Sequence, residues 1–198
     1  MNYLAHLRLS RRDKHSIIGN LMGDFRRYLH GMILPADILV GVKNHQRVDK
    51  FTDSHAEIRR LKTCFSRKRR RYAGIILDVA FDHFLALHWN RFSQEPRDIF
   101  IRYCYSCLAG GMDLMPARMQ QTVTYMIHED WLGSYEDLSG IGITLDRLAR
   151  RIRFENYLGG SVEEVAHNYD YIEEGFQRFF PAVMLHVNGI NRQADVIE

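Results

Sequence analysis

Cysteine, proline and long apolar runs are all scarce in this chain of 198 residues. The three cysteines, Cys64, Cys104 and Cys107, are an odd number in a chain otherwise rich in core-forming residues, which argues against a disulfide framework and for reduced thiols in a cytoplasm. Cys104 and Cys107 form a C-x-x-C, but no second pair completes a zinc site, and their aromatic, helix-like surroundings suit packing. Only four prolines occur, at 35, 96, 116 and 181, each where a helix can begin or break. With no Pro- or Gly-rich linker, low-complexity tract or internal repeat, the chain is expected to form one large domain. No window approaches the roughly 20 uninterrupted apolar residues that cross a bilayer. The opening Met1–Arg8 lacks a charged segment followed by a long apolar run, so neither a membrane span nor a secretory signal is expected.

Strand-like alternation is also rare, whereas i, i+3, i+4 apolar spacing recurs throughout, which predicts an all-α fold. Helices are expected over residues 15–30, 35–54, 55–72, 74–91, 96–109, 116–129, 144–155 and 161–186. Gly110-Gly111 and the glycines at 140 and 142 are read as connections, and Gly159-Gly160-Ser161 as a C-cap followed by the N-cap of the last helix. Charge is uneven: residues 1–100 hold 19 Lys and Arg against 10 Asp and Glu, a net +9, leaving 8 against 14, or −6, for the rest. That asymmetry points to an anionic partner docking on the first half.

The segment Gly74–Trp89 is apolar on nearly every side of a helix, the mark of a buried element, yet it carries Asp78 and Asp82 one turn apart with His83 and His88 nearby. Burying two neighbouring carboxylates is costly unless a cation or donors compensate them. Arginines from neighbouring helices or a divalent metal would both serve, and the adjacent histidine favours the metal. A second segment, Asn44–His55, aligns His45, Asp49, Thr52 and Asp53 on one helical stripe. Such a stripe is often a solvated face, but this one has none of the Lys and Glu that usually fill one. The third is Gly19–Arg27, where Asp24 interrupts apolar sequence and two glycines allow another backbone to come close.

A basic run follows: Arg59, Arg60, Lys62, Arg67, Lys68, Arg69, Arg70 and Arg71, directly before the buried helix. Runs of this kind are solvated faces, nucleic-acid patches or docking surfaces for acidic macromolecules, and the neighbouring ligand-type helix favours the last.

Together, Met1–Leu7, Gly19–Phe25, His45–Asp53 and Leu77–Leu85, with Trp131, Leu132, Tyr135 and Arg178–Pro181, resemble the acyl carrier protein phosphodiesterases. The resemblance implies a helical fold distantly like that of the HD-domain phosphohydrolases, although the adjacent His-Asp pair of that signature is replaced here by the reversed Asp82-His83. Some members have a histidine where this chain has Lys43. It also implies a divalent metal, typically Mn²⁺ with Mg²⁺ or Fe²⁺ as alternatives, and removal of 4′-phosphopantetheine from the acidic holo-acyl carrier protein. Asp24, His45, Asp78 and Asp82 are then the expected metal ligands, with Asp49 and His83 completing or orienting the shell. Arg47 would steady developing negative charge, His83 or His88 would protonate the leaving oxygen, and the run Arg59–Arg71 would steer the carrier. Two other readings are a helical phosphohydrolase of nucleotides and a non-enzymatic nucleic-acid-binding module whose buried acids are paired with arginines.

Overall fold

In the computed structural model, which describes the backbone of residues 1–194 and the side chains of residues 1–189, the apolar segment of the sequence analysis is the central helix α5 (Ala73–Leu87). Its Ile76, Leu77, Phe81, Phe84 and Leu85 are buried, as a helix apolar on all sides demands. Helix α1 (Tyr3–Arg8) packs on it, α2 (Lys14–Met22) packs on α3 (Ala36–Ser54), and α4 (Ala56–Leu61) follows α3. The remaining helices are α6 (Trp89–Phe92), α7 (Arg97–Ala109), α8 (Ala117–His128), α9 (Trp131–Ser134), α10 (Leu138–Arg151), α11 (Val162–His167) and α12 (Tyr169–Ala194). Short 3-10 turns join several of them, no strand occurs among the described residues, and the fold is all-α. One hydrophobic cluster runs from Met1 to Val187.

Local chemistry sets the boundaries. Asp13 caps α2, its carboxylate accepting from the Ser16 amide at 2.7 Å. Pro35, Pro96 and Pro116 immediately precede α3, α7 and α8. Helices α2 and α3 approach so closely that a side chain on Gly19 would meet the Ile38 carbonyl oxygen at 2.3 Å. A buried amide chain fixes the same junction: Asn44 donates to Asn20 Oδ1 at 2.9 Å and to the Leu9 carbonyl at 3.1 Å.

Several expected elements differ. Helix α1 was not foreseen, and the span 15–30 is helix only to Met22, continuing as a 3-10 turn over Gly23–Tyr28. The span 55–72 breaks after α4, where Lys62–Cys64 tightens into a 3-10 turn ahead of the five consecutive basic residues at 67–71. The chain is extended at Phe65, and Ser66 and Arg69 bind Glu164 instead. The span 74–91 is interrupted at His88, and the last helix divides at Asn168 into α11 and α12, which continues through Pro181. Gly140 and Gly142 lie inside α10 rather than in a connection; a Cβ on Gly140 would sit 2.0 Å from the Ser134 carbonyl oxygen. Gly160 does adopt positive φ (66°), but the Ser161 hydroxyl makes no capping bond.

Candidate active site

The site begins with a missing side chain. A Cβ on Gly23 would fall 2.1 Å from the His45 ring, so only glycine lets α3 turn that imidazole inward against the end of α2. The His45 ring stacks on that of His6, from α1, with centroids 3.8 Å apart and an interplanar angle of 16°. Asp49, one turn along α3 from His45, reaches across both: its two oxygens lie 3.0 Å from His6 Nε2 and 3.0 Å from His45 Nε2. Asp24 Oδ1 is 3.7 Å from His45 Nε2, and the Met1 amino group lies 3.0 Å from Asp78 and 3.7 Å from Asp49.

These contacts are close without being well-formed hydrogen bonds. Both His6 ring nitrogens and His45 Nδ1 are buried without a hydrogen-bond partner. Burial, reinforced by the neighbouring His45, lowers the His6 pKa to about 3, so the imidazole is neutral with a free lone pair near neutral pH. Burial would raise the Asp49 carboxyl, but the flanking His45 and His6 outweigh it and hold the group ionised. One ligand atom from each of His6, His45 and Asp49 falls within 4.8 Å of the others, a separation that one ion can bridge. Two imidazoles and a carboxylate, with buried nitrogens left orphaned, are a donor set that fits Mn²⁺, Fe²⁺ or Zn²⁺.

The other expected residues lie at the edge of this group or away from it. Asp24 and Asp78 stand at its edge, on the wall of a cleft of about 1100 Å³. Asp82 faces α1: its two oxygens accept from the Leu4 and Ala5 amides at 2.8 and 3.0 Å, capping that helix where Asn2 makes no side-chain cap. Burial pushes its carboxyl up to about 7 against the pull of those two donors. His83 points elsewhere, Nδ1 lying 2.9 Å from the Tyr135 carbonyl oxygen and Nε2 2.9 Å from the Tyr169 hydroxyl. His88 pairs with Glu173, and Arg47 lies on the exposed side of α3. His6 was missed because one histidine in an apolar opening segment reads as a packed core residue. The available signal was that the segment is too apolar to satisfy both its nitrogens.

The cleft beside the group is lined by guanidinium groups, those of Arg27, Arg118, Arg151 and Arg153. Tyr3, which also lines it, stacks on Trp131 at 6.3 Å; burial first, then nearby Asp24, raises its hydroxyl to about 12. Much of the basic run Arg59–Arg71 is engaged within the fold. Arg60 pairs with Glu57 and lies over Tyr171, while Arg69 binds Glu164 and the Tyr157 and Gly159 carbonyls. Lys62 lies 3.9 Å from Asp53, and Arg59 and Arg70 donate to backbone carbonyls. Arg71 lies over Tyr72, leaving Arg67 and Lys68 exposed.

A ligand-type cluster beside a cleft whose wall carries Asp24, Asp78 and four arginines is the equipment of an all-helical hydrolase acting on phosphate esters. Comparison with known proteins is consistent with that class. The family model for acyl carrier protein phosphodiesterase matches residues 1–183. A Salmonella agona protein named acyl carrier protein phosphodiesterase is 35% identical over 185 residues, covering 93% of this chain and 96% of the relative. One of the same name from Enterobacter sp. is 36% identical over 186 residues, with the same coverage. The chain belongs to the acyl carrier protein phosphodiesterase family and is a phosphodiesterase-type hydrolase. No solved structure matches it, and no comparison bears out the expected likeness to the HD-domain fold.

Proposed function

We propose that this enzyme hydrolyses 4′-phosphopantetheine from holo-acyl carrier protein with the help of a divalent cation, Mn²⁺ first and Mg²⁺ or Fe²⁺ as alternatives. The observation that carries the metal is the stacked His6–His45 pair with its orphaned nitrogens, closed by the ionised Asp49. His6, His45 and Asp49 would hold the ion, with Asp24 and Asp78 beside it. A bound divalent cation polarises a phosphodiester oxygen and acidifies water enough to provide hydroxide near neutral pH.

The chain's own contribution is placement and charge. Asp49 places one carboxylate oxygen 3.0 Å from each Nε2, so its negative charge and both imidazoles face one small volume. Arg151 lines the same cleft as Tyr3 and would meet the negative charge that a phosphoryl oxygen entering it gains, a role for which a planar guanidinium is suited. Asp82 orients His6 indirectly by fixing the start of α1.

The test is incubation of purified protein with holo-carrier, with and without Mn²⁺, following release of phosphopantetheine by mass. Release that needs the ion, and is lost in His45→Ala along with bound manganese, is the expected outcome. Metal-independent release would remove the metal from the proposal, and no release from verified substrate would remove the activity.

A further inference from the structure

Arg27, Arg118, Arg151 and Arg153 belong to separate segments: the 3-10 turn after α2, the start of α8, the end of α10 and the stretch just beyond it. They converge on one cleft and are all exposed, and among the described residues none is ion-paired with a carboxylate. Unpaired guanidinium groups around one concavity raise its potential and repel each other until a polyanion arrives. The same cleft exposes apolar side chains, Phe154 at 60%, Tyr28 at 39% and Ile75 at 38%. The run Arg59–Arg71 has the larger formal charge, but most of it is tied to Glu57, Asp53, Glu164 and backbone carbonyls.

We infer that the arginine-rimmed cleft, and not the run Arg59–Arg71, is the surface on which the acidic carrier docks, the guanidinium rim meeting its carboxylates and the apolar wall receiving its prosthetic arm. This rests on the proposed substrate, and charge complementarity selects the occupant. Its volume of about 1100 Å³ is ample for an extended arm. Asp24 and Asp78 on its wall would bring the phosphodiester beside the His6–His45–Asp49 group. Fully exposed pairs elsewhere on the surface would steer the carrier, whereas those at the cleft would hold it.

The experiment measures binding of fluorescently labelled holo-acyl carrier protein by anisotropy across a salt series, in parallel with phosphopantetheine release. Arg118→Glu with Arg153→Glu is expected to weaken binding at least tenfold and flatten its salt dependence. The neutral pair Arg118→Ala and Arg153→Ala should weaken it by a smaller factor, which guards against a folding defect in the charge reversal. Arg67→Glu with Lys68→Glu should change it less than threefold. A larger loss from the Arg67 and Lys68 pair, unaltered binding in both Arg118 and Arg153 pairs, or no binding by the unsubstituted protein would overturn the inference. Binding that depends on the cleft arginines but leads to no release would instead sink the hydrolase proposal and leave the docking face standing.

Discussion

Two buried regions flank α5, and they are built to opposite rules. On the α12 side, Phe176 stacks on Phe180 at 5.1 Å and meets Phe81 at 5.4 Å, while Phe92 meets Phe180 edge-on at 4.9 Å. These rings are wholly or nearly enclosed and carry no polar atom to satisfy. On the α1 and α3 side, His6, His45 and Asp49 crowd together with ring nitrogens left unpartnered, an arrangement that costs stability. The contrast teaches a division of labour: the aromatic layer supplies surplus stability, and the imidazole layer spends it on a geometry suited to a cation.

The sharpest way to break that contrast is Asp49→Ala. It is expected to lower phosphopantetheine release by about three orders of magnitude, while denaturant unfolding shows little loss of stability; a large stability loss instead would make the cluster a structural element. Phe179→Ala should do the reverse, costing about 3–5 kcal/mol of stability and leaving turnover per folded molecule nearly unchanged. Phe179 is fully buried and meets Phe51, His55 and Phe81, so unfolding curves and active-site titration separate the two effects. Gly23→Ala should displace the His45 ring and reduce release by about 10²-fold, with manganese content falling in step.

Asp82→Asn tests the boundary between the layers. The amide oxygen satisfies only one of the two α1 donors, so stability should fall by about 1–3 kcal/mol. The pH dependence has a definite sign. Because burial raises this carboxyl to about 7 in the folded chain, the native state holds its proton longer than the unfolded state does. The group therefore contributes stability fully below the ordinary aspartate range, and loses that contribution as pH rises toward 7. Asp82→Asn should remove this part of the slope, as read from unfolding midpoints across pH 4–8; an unaltered slope would assign it to other groups.

Composition and periodicity made the helical class and α3, α7 and α8 legible, because proline marks their starts and their apolar stripes are regular. The short helix α1 was hidden because its cap is supplied by a residue 77 to 78 positions away. At the site, spacing on one helix correctly joined His45 to Asp49, which lie 3.0 Å apart at their nearest atoms. The same logic placed Asp78 with Asp82, but a one-turn offset on α5 sends Asp78 to the cleft and Asp82 into the α1 backbone. Helical spacing states which residues share a face, and the neighbouring element decides what that face is used for. The cleft arginines were illegible for the same reason: Arg27, Arg118, Arg151 and Arg153 are scattered over more than a hundred positions and meet only in three dimensions.

A helix of six residues does not persist by itself in water. Since α1 is threaded onto the Asp82 carboxylate, His6 is delivered to its partner imidazole only once the central helix is already seated. On the proposed role of His6, catalytic competence is thus a property of the finished molecule, acquired late, and a loosened chain that has released its opening turn would be inert before it had lost its shape.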